Sequence, residues 1–352
     1  METVACALCE TRTTTLRVKQ RDINLELNVE PFTIVQCDGC GLLYLNPRPT
    51  KAEIHAYYPS EYYPLEETKV RRSIDLFFKR LSSVQKKAIR EEFYNYPAPQ
   101  RSGFQRLLRR LVLYPEYWHL RFSGRDPLPF RGEGRILDVG CGPGKLLRVL
   151  REQGWDVYGV DFSPLAVEYA RSKHNLNVTL GELATAGYKD NFFDVVMFSH
   201  SLEHIYEPVE TLREVHRILR PGGLLMICIP NAGSLEARVF GKWWVQWDVP
   251  RHLFHFTKAT MAQLLSKAGF RLVGIKDGVG RSFFLGSVDV VYRFVFRWNR
   301  KHGGVMRHLV ATPLCQLFGM LGYGSEMRVF AEKAMPTTTT NTASTPSSAG
   351  SI

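Results

Sequence analysis

Residues 199–205 read "SHSLEHI" and contain His200-x-x-Glu203-His204. Two imidazoles and a carboxylate at this spacing can ligate a metal, as in the inverted zinc peptidases. They can equally take a proton from a reacting group. A peptidase needs both histidines on one long helix, with a further ligand elsewhere. Here "FFDVVMFSH" reads as a buried strand and "SLEHI" as the turn at its carboxyl end, so the peptidase reading fails. A second chemical group is the pair Cys6-x-x-Cys9 and Cys37-x-x-Cys40, separated by 27 residues. Each pair presents two thiolates from one tight knuckle, and two knuckles complete a tetrahedral zinc site. A third is Asp138-x-Gly140-x-Gly142-x-Gly144. The glycines let a ligand approach the backbone, and the carboxylate suits an ammonium or sulfonium ligand better than a phosphate.

The elements that must position these groups are legible around them. "LRVKQ" and "FTIVQ" between the cysteine pairs read as short strands, as expected of a zinc ribbon. Ile136–Val139 reads as a buried strand and Lys145–Gln153 as a helix. Val157–Val160 is a second strand closed by Asp161. That is a βαβ nucleotide-binding unit. An acid at the end of its second strand can accept hydrogen bonds from two ribose hydroxyls. Ser163 followed by Pro164 predicts the start of the next helix, and Thr257 caps another. The dinucleotide pattern G-x-G-x-x-G is absent, because its third position falls on Lys145.

Four stretches together resemble the class I S-adenosylmethionine-dependent methyltransferases, over about residues 133–334. They are "ILDVGCGPG", "GVDFS", "GELATAGYKDNFFDVVMFSHSLEHI" and "LREVHRILRPGGLLMICIPN". The resemblance implies an α/β fold, a Rossmann-like seven-stranded sheet with helices on both faces. "RLVGIKD" would be its sixth strand and "RVFAEK" its seventh, antiparallel to the rest. It also implies that Asp138, Gly140, Cys141, Gly142 and Gly144 hold S-adenosylmethionine, with Asp161 on the ribose and Phe162 beside the adenine. Glu182 would bind the adenine amine, and Ser199 would line the cofactor. Related ubiquinone O-methyltransferases carry Glu-x-x-Glu-His and bind a divalent ion where this chain has His200, Glu203 and His204. For His204 three roles stay open: metal ligand, orienting residue of the site wall, or general base. "NAGSLEARVFGKWWVQWDVPRHLFHFT" is dense in aromatics and resembles a subgroup that often carries a zinc ribbon. It is either a substrate wall or lid, or a packed cover. His252 within it is the second candidate for catalysis, facing His204 under a roof of Trp243, Trp244 and Trp247.

The expected order is a ribbon at 1–48, a basic amphipathic helical connector at 49–130 and the methyltransferase domain at 131–334. That domain carries an aromatic insert at 231–256 and an apolar helical insert at 281–325. The low-complexity tail 335–352 is expected to be disordered. Formal net charge is +12, and residues 69–126 hold 14 Lys/Arg against 5 Asp/Glu. Such a stretch is either a solvated face or a surface for anionic partners. The favoured function is methyl transfer to an oxygen of a small molecule, glycan or lipid precursor. The alternative is RNA methylation on the ribbon and basic helices. "IPNAG" after the fifth strand argues against nucleic acid, because base amino methylators end that strand in Asn/Asp-Pro-Pro-aromatic. No apolar signal core opens the chain and no run of about 18 uncharged apolar residues appears. A cytoplasmic protein is expected, with peripheral membrane contact open.

Overall fold

The structure is a computed structural model that describes residues 1–27, 30–59, 73–122, 127–278, 280–297 and 311–334. The expected tail, 335–352, lies outside the described residues.

The chain begins with strands β1 (Thr14–Gln20), β2 (Phe32–Cys37) and β3 (Leu43–Leu45), paired antiparallel in that order. Two helices follow, α1 (Ser73–Phe93) and α2 (Gly103–Phe122). Then strands and helices alternate: β4 (Arg135–Val139), α3 (Lys145–Glu152), β5 (Asp156–Asp161), α4 (Pro164–His174), β6 (Asn177–Leu180), β7 (Phe193–Ser199), α5 (Pro208–Ile218) and β8 (Leu219–Pro230). The last part comprises α6 (Leu235–Phe240), β9 (Phe254–His255), α7 (Lys258–Lys267), β10 (Phe270–Gly278), α8 (Arg281–Phe294), α9 (Thr312–Met320) and β11 (Glu326–Lys333).

Seven strands form one sheet in the order β10-β11-β8-β7-β4-β5-β6. Strands β4 to β8 pair in parallel, and β11 alone runs against its neighbours β8 and β10. β4 and β7 are buried almost throughout, as strands covered on both faces must be, which explains their continuous apolar spelling. Local signals set the helix starts. The Ser163 hydroxyl accepts from the Ala166 amide with Pro164 next in line. Thr257 and Thr260 cap α7 reciprocally.

The other sheet is completed from far away in sequence. β3 pairs with β9, Leu43 opposite His255 and Tyr44 opposite Phe254. Of the two readings of this segment, wall or lid and packed cover, the packing fits the cover: it lies between the cysteine-bearing strands and the large sheet. Trp244, Arg251 and Phe256 are fully buried, and Trp247, Leu253 and Phe254 nearly so. One continuous core runs from Ile34, Tyr44 and Leu45 through Trp244 and Phe254 to Phe198 and Ile227. Arg251 anchors it. Its guanidinium is held by Asp22 at 2.8 and 2.9 Å and by Asp248 at 2.6 and 3.1 Å. Removing one partner of such a buried pair costs about 3–5 kcal/mol, because the other charge is stranded. Trp243 departs from the expected roof. It stacks flat on Phe294 of α8, 5.7 Å away, while Trp244 and Trp247 pack on each other.

On the other face, Tyr96 and Phe130 pack on Trp155, Tyr94 packs on Tyr117, and Leu120 and Ile89 join Ile136 in the second core. This ties the α1–α2 pair to the amino-terminal edge of the large sheet. Within the apolar stretch expected at 281–325, α8 buries Leu285 and Val290 and α9 buries Cys315.

Candidate active site

The glycine loop after β4 owes its shape to close neighbours. Gly140 has φ +78°, and a Cβ there would meet the Ser201 Cβ at 2.5 Å. Gly142 has φ +52° and nothing within 4 Å of where its Cβ would stand. The loop is thus pinned on one side and open on the other. Asp161 holds it from below, accepting from the Gly142 amide at 2.7 Å and the Ser163 amide at 2.9 Å. Each carboxylate oxygen keeps a further lone pair for a ligand. Asp138 is buried, and its Oδ1 has no hydrogen-bond partner. Burial, with the nearby Asp161 charge adding, pushes its carboxyl up to about 7. An orphaned carboxyl in such a place fits a cationic ligand that supplies both donor and charge. Cys141 is buried beneath the loop.

Three side chains from the segment after β3 reach this pocket. Lys51 bridges to Glu182 at 2.8 Å. His55 and Tyr58 lie against the Phe162 ring, with centroids 6.0 and 5.4 Å away. The Tyr58 hydroxyl also sits 2.9 Å from Nδ1 of His204. A chain of contacts therefore runs from Phe162 through Tyr58 to the histidines.

Ser199 ends β7, and His200 follows with φ +54°, a left-handed conformation that a non-glycine residue adopts at a cost. His200 Nε2 lies 3.3 Å from Glu326, and its Nδ1 lies 3.7 Å from Glu203. Burial works against a charge on His200, but Cys228, Glu203 and Glu326 outweigh it and raise its pKa. His204 Nδ1 stands 2.9 Å from the Arg251 carbonyl, and His252 Nδ1 stands 2.8 Å from the Gln246 carbonyl. A carbonyl only accepts, so each Nδ1 carries a proton, and His252 Nε2 lies 3.9 Å from Glu203 and 3.8 Å from Asp248. The two rings are 4.7 Å apart. Burial, with His252 adding, pushes His204 down to about 4, so it is neutral near pH 7. Beside the rings lies Glu203, buried, with neither carboxylate oxygen hydrogen-bonded. Burial opposes its charge, but His200, His204 and His252 hold it at about 2. Ligand atoms of Glu203, His204 and His252 all lie within 4.8 Å of one another. That donor set fits a divalent cation, and it fits proton transfer equally well.

A methyltransferase domain model matches residues 105–275. A ubiquinone biosynthesis O-methyltransferase of Cereibacter sphaeroides is 34% identical over 168 residues, 44% of this chain and 66% of that protein. A second one, from another strain of that species, is 32% identical over 48% of this chain and 74% of its own length. A probable S-adenosylmethionine-dependent methyltransferase of Mycolicibacterium smegmatis is 28% identical over 49% of this chain and 63% of that protein. The chain thus spans a little under two thirds of the length of the first and third of these relatives. The chain belongs to the class I S-adenosylmethionine-dependent methyltransferases.

The methyltransferase sheet brings nearly all the expected cofactor residues to its carboxyl edge, in the loops after β4, β5, β6 and β7. The orphaned Asp138 oxygen and the open space over Gly142 fit S-adenosylmethionine. Lys51, His55, Tyr58 and Ser201 carried no motif. Only their types, polar or aromatic beside an extended connector, hinted at a site. A cleft of about 430 Å³ opens beside Trp247, lined by the cations Arg17, Lys19, Arg238 and Lys242 and by no carboxylate. Trp247 separates it from His255, which neighbours His252.

The cysteine knuckles converge as the spacing predicts. Cys6 and Cys40 sulfurs are 3.4 Å apart, Cys9 and Cys37 sulfurs 3.3 Å, and all four cysteines are free thiols. Gly39 is required there, since a Cβ would meet Thr11 at 2.7 Å and the Cys9 sulfur at 3.2 Å. Four soft sulfurs at one point fit a structural zinc ion.

Proposed function

We propose that the protein methylates an oxygen of a small-molecule, glycan or lipid-precursor acceptor, using His204 and His252 as the proton-accepting pair. S-Adenosylmethionine, when bound, supplies a methyl already activated for in-line displacement. The chain then has to hold the cofactor, orient the acceptor and remove one proton. Asp138 binds the cofactor's ammonium group, Asp161 its ribose, and Phe162 and Glu182 its adenine, with Ser199 along the wall. Lys51 and Tyr58 close the outer side. The Nε2 of His204 faces the acceptor hydroxyl, and His252 beside it, with its Nε2 toward Glu203 and Asp248, takes the proton onward. Glu203, charged and beside both rings, stabilises the imidazolium that forms, as the buried carboxylate of a catalytic triad does.

The observation that carries this reading is the pair of imidazoles with tautomers fixed by backbone carbonyls, joined through Tyr58 to the cofactor pocket. The names of the relatives support oxygen as the acceptor atom. A second reading rests on the clustering of Glu203, His204 and His252: they would hold a divalent ion, and the ion would orient the acceptor oxygen. The RNA alternative has no such support. The Asn231 that follows β8 is buried and spends its amide on the Gly324 carbonyl and the Gly233 amide. Cys6, Cys9, Cys37 and Cys40 hold zinc, which secures the strands that β9 joins.

Turnover with radiolabelled S-adenosylmethionine and a panel of phenolic and glycosidic acceptors tests the proposal. His204→Ala or His252→Ala should lower turnover at least ~10²-fold, the usual worth of a general base, with little change in cofactor affinity. If both variants keep near-normal turnover, the histidines are not the base. Activity that depends on added magnesium in protein that keeps its zinc, and that Glu203→Gln abolishes, would favour the metal-holding reading.

A further inference from the structure

The outward face of α2 is apolar where a solvated helix should be polar. Phe104 is 74% exposed, Leu107 57%, Leu108 54%, Leu111 64% and Val112 72%. These residues stand at i, i+3, i+4, i+7 and i+8, so they share one face of the helix. Tyr114, 49% exposed, and Trp118 extend the row by another turn. The inner face is already used: Leu120 is buried in the second core, and Leu113 and Tyr117 pack against it. No described residue covers the outer row. Five neighbouring large apolar side chains, each more than half exposed, form a surface that soluble proteins rarely leave bare.

The charge around the row is one-sided. Residues 83–122 hold 8 Lys/Arg against 3 Asp/Glu. Two of those acids, Glu91 and Glu92, are consumed by Arg101 and Arg109. Arg106, Arg110, Arg121, Lys86 and Lys87 are left exposed around the helix.

We infer that α2 docks this protein onto an anionic phospholipid surface, the Phe104–Val112 row entering the interface and the flanking cations meeting lipid phosphates. An interfacial helix needs this combination of apolar face and basic flanks. Arginine stems can lie along the apolar layer while their guanidinium groups reach the phosphates, and Tyr114 and Trp118 suit the headgroup level. A second copy of the chain is the poorer occupant. An isologous contact would set the same basic rows against each other with few acids to offset them. The Thr/Ser-rich stretch 336–351 offers no apolar face either. No described helix is long and apolar enough to cross a membrane, so the contact is peripheral. The core that seats α2 lies at the amino-terminal edge of the large sheet, opposite the cofactor loops.

Sedimentation of the full-length protein with vesicles tests this. Vesicles of phosphatidylcholine with phosphatidylglycerol should carry the protein down at low salt. Phosphatidylcholine alone should not, and added salt should release the protein. Leu107→Ser with Leu111→Ser should weaken binding at least ~10-fold. Arg106→Gln with Arg121→Gln should weaken it about fivefold per cation. All four positions are exposed, so thermal melting and S-adenosylmethionine affinity should stay unchanged. Wild-type protein that remains in the supernatant with both vesicles overturns the inference. So does vesicle binding that survives Leu107→Ser with Leu111→Ser. A dimer in light scattering that the same leucine variant dissociates, without vesicle binding, would show that a second copy is the occupant.

Discussion

Asp138 shows how one buried carboxyl can set the terms of cofactor binding. Its pKa is raised to about 7 by burial and by the Asp161 charge, while an unfolded chain titrates it near 3.8. The folded, cofactor-free protein therefore holds a proton there that the unfolded chain has lost. Over that window stability falls as pH rises, because the folded state binds more protons. A bound ammonium group reverses the preference and favours the carboxylate. Cofactor affinity should climb between pH 6 and pH 7, with release of a proton on binding. It should level off and then fall as the ligand's own α-amino group, ordinarily near 7.7–8.0, is neutralised. Calorimetry at pH 6 in two buffers of different ionisation enthalpy checks this. Asp138→Asn should abolish the proton release and flatten the profile. Wild-type binding without proton release at pH 6 would remove Asp138 from the ammonium site. His204 behaves oppositely: pushed down to about 4, it should add no acid limb to turnover between pH 6 and 8.

At the scale of elements, the cysteine-bearing strands and the aromatic segment are one unit. β3 leaves the second knuckle and pairs with β9 three residues after Arg251. Leu253 in turn donates to the Glu203 carbonyl at 2.8 Å. A metal held at the knuckles would therefore brace the backbone that presents His252 and His204. Purified protein should carry about one zinc per chain. Chelation should lower the melting temperature of the whole protein in a single transition, since no boundary separates the two cores on this side. Freshly reduced protein without zinc, or melting that chelation leaves untouched, would count against the ribbon. The same elements mark the limit of sequence reading. The glycine loop, Asp161 and the caps at Ser163 and Thr257 were legible because each depends on neighbours a few residues away. The Asp22–Arg251 pair spans 229 residues and the Tyr58–His204 contact 146, and no local pattern announces either. The aromatic run suggested a pocket roof, but Trp243 found a better stacking partner in Phe294, a residue that no motif pointed to.

For the whole molecule, the resemblance implied a seven-stranded sheet with an antiparallel last strand, and the structure gives its order as β10-β11-β8-β7-β4-β5-β6. What that order positions is a single carboxyl edge where Asp138, the Gly140–Gly144 loop and Asp161 meet, with His204 and His252 joined to it through Tyr58. This edge should bind S-adenosylmethionine through Asp161 and present its methyl group toward those histidines. Titration calorimetry of S-adenosylmethionine into wild-type protein and into Asp161→Ala tests it most directly, with melting curves recorded on both. Wild-type protein should bind one equivalent. Loss of two charge-assisted hydrogen bonds, about 1.5–3 kcal/mol each, should weaken the variant by at least ~10²-fold while it remains folded. A folded Asp161→Ala variant that binds as tightly as wild type would contradict the account.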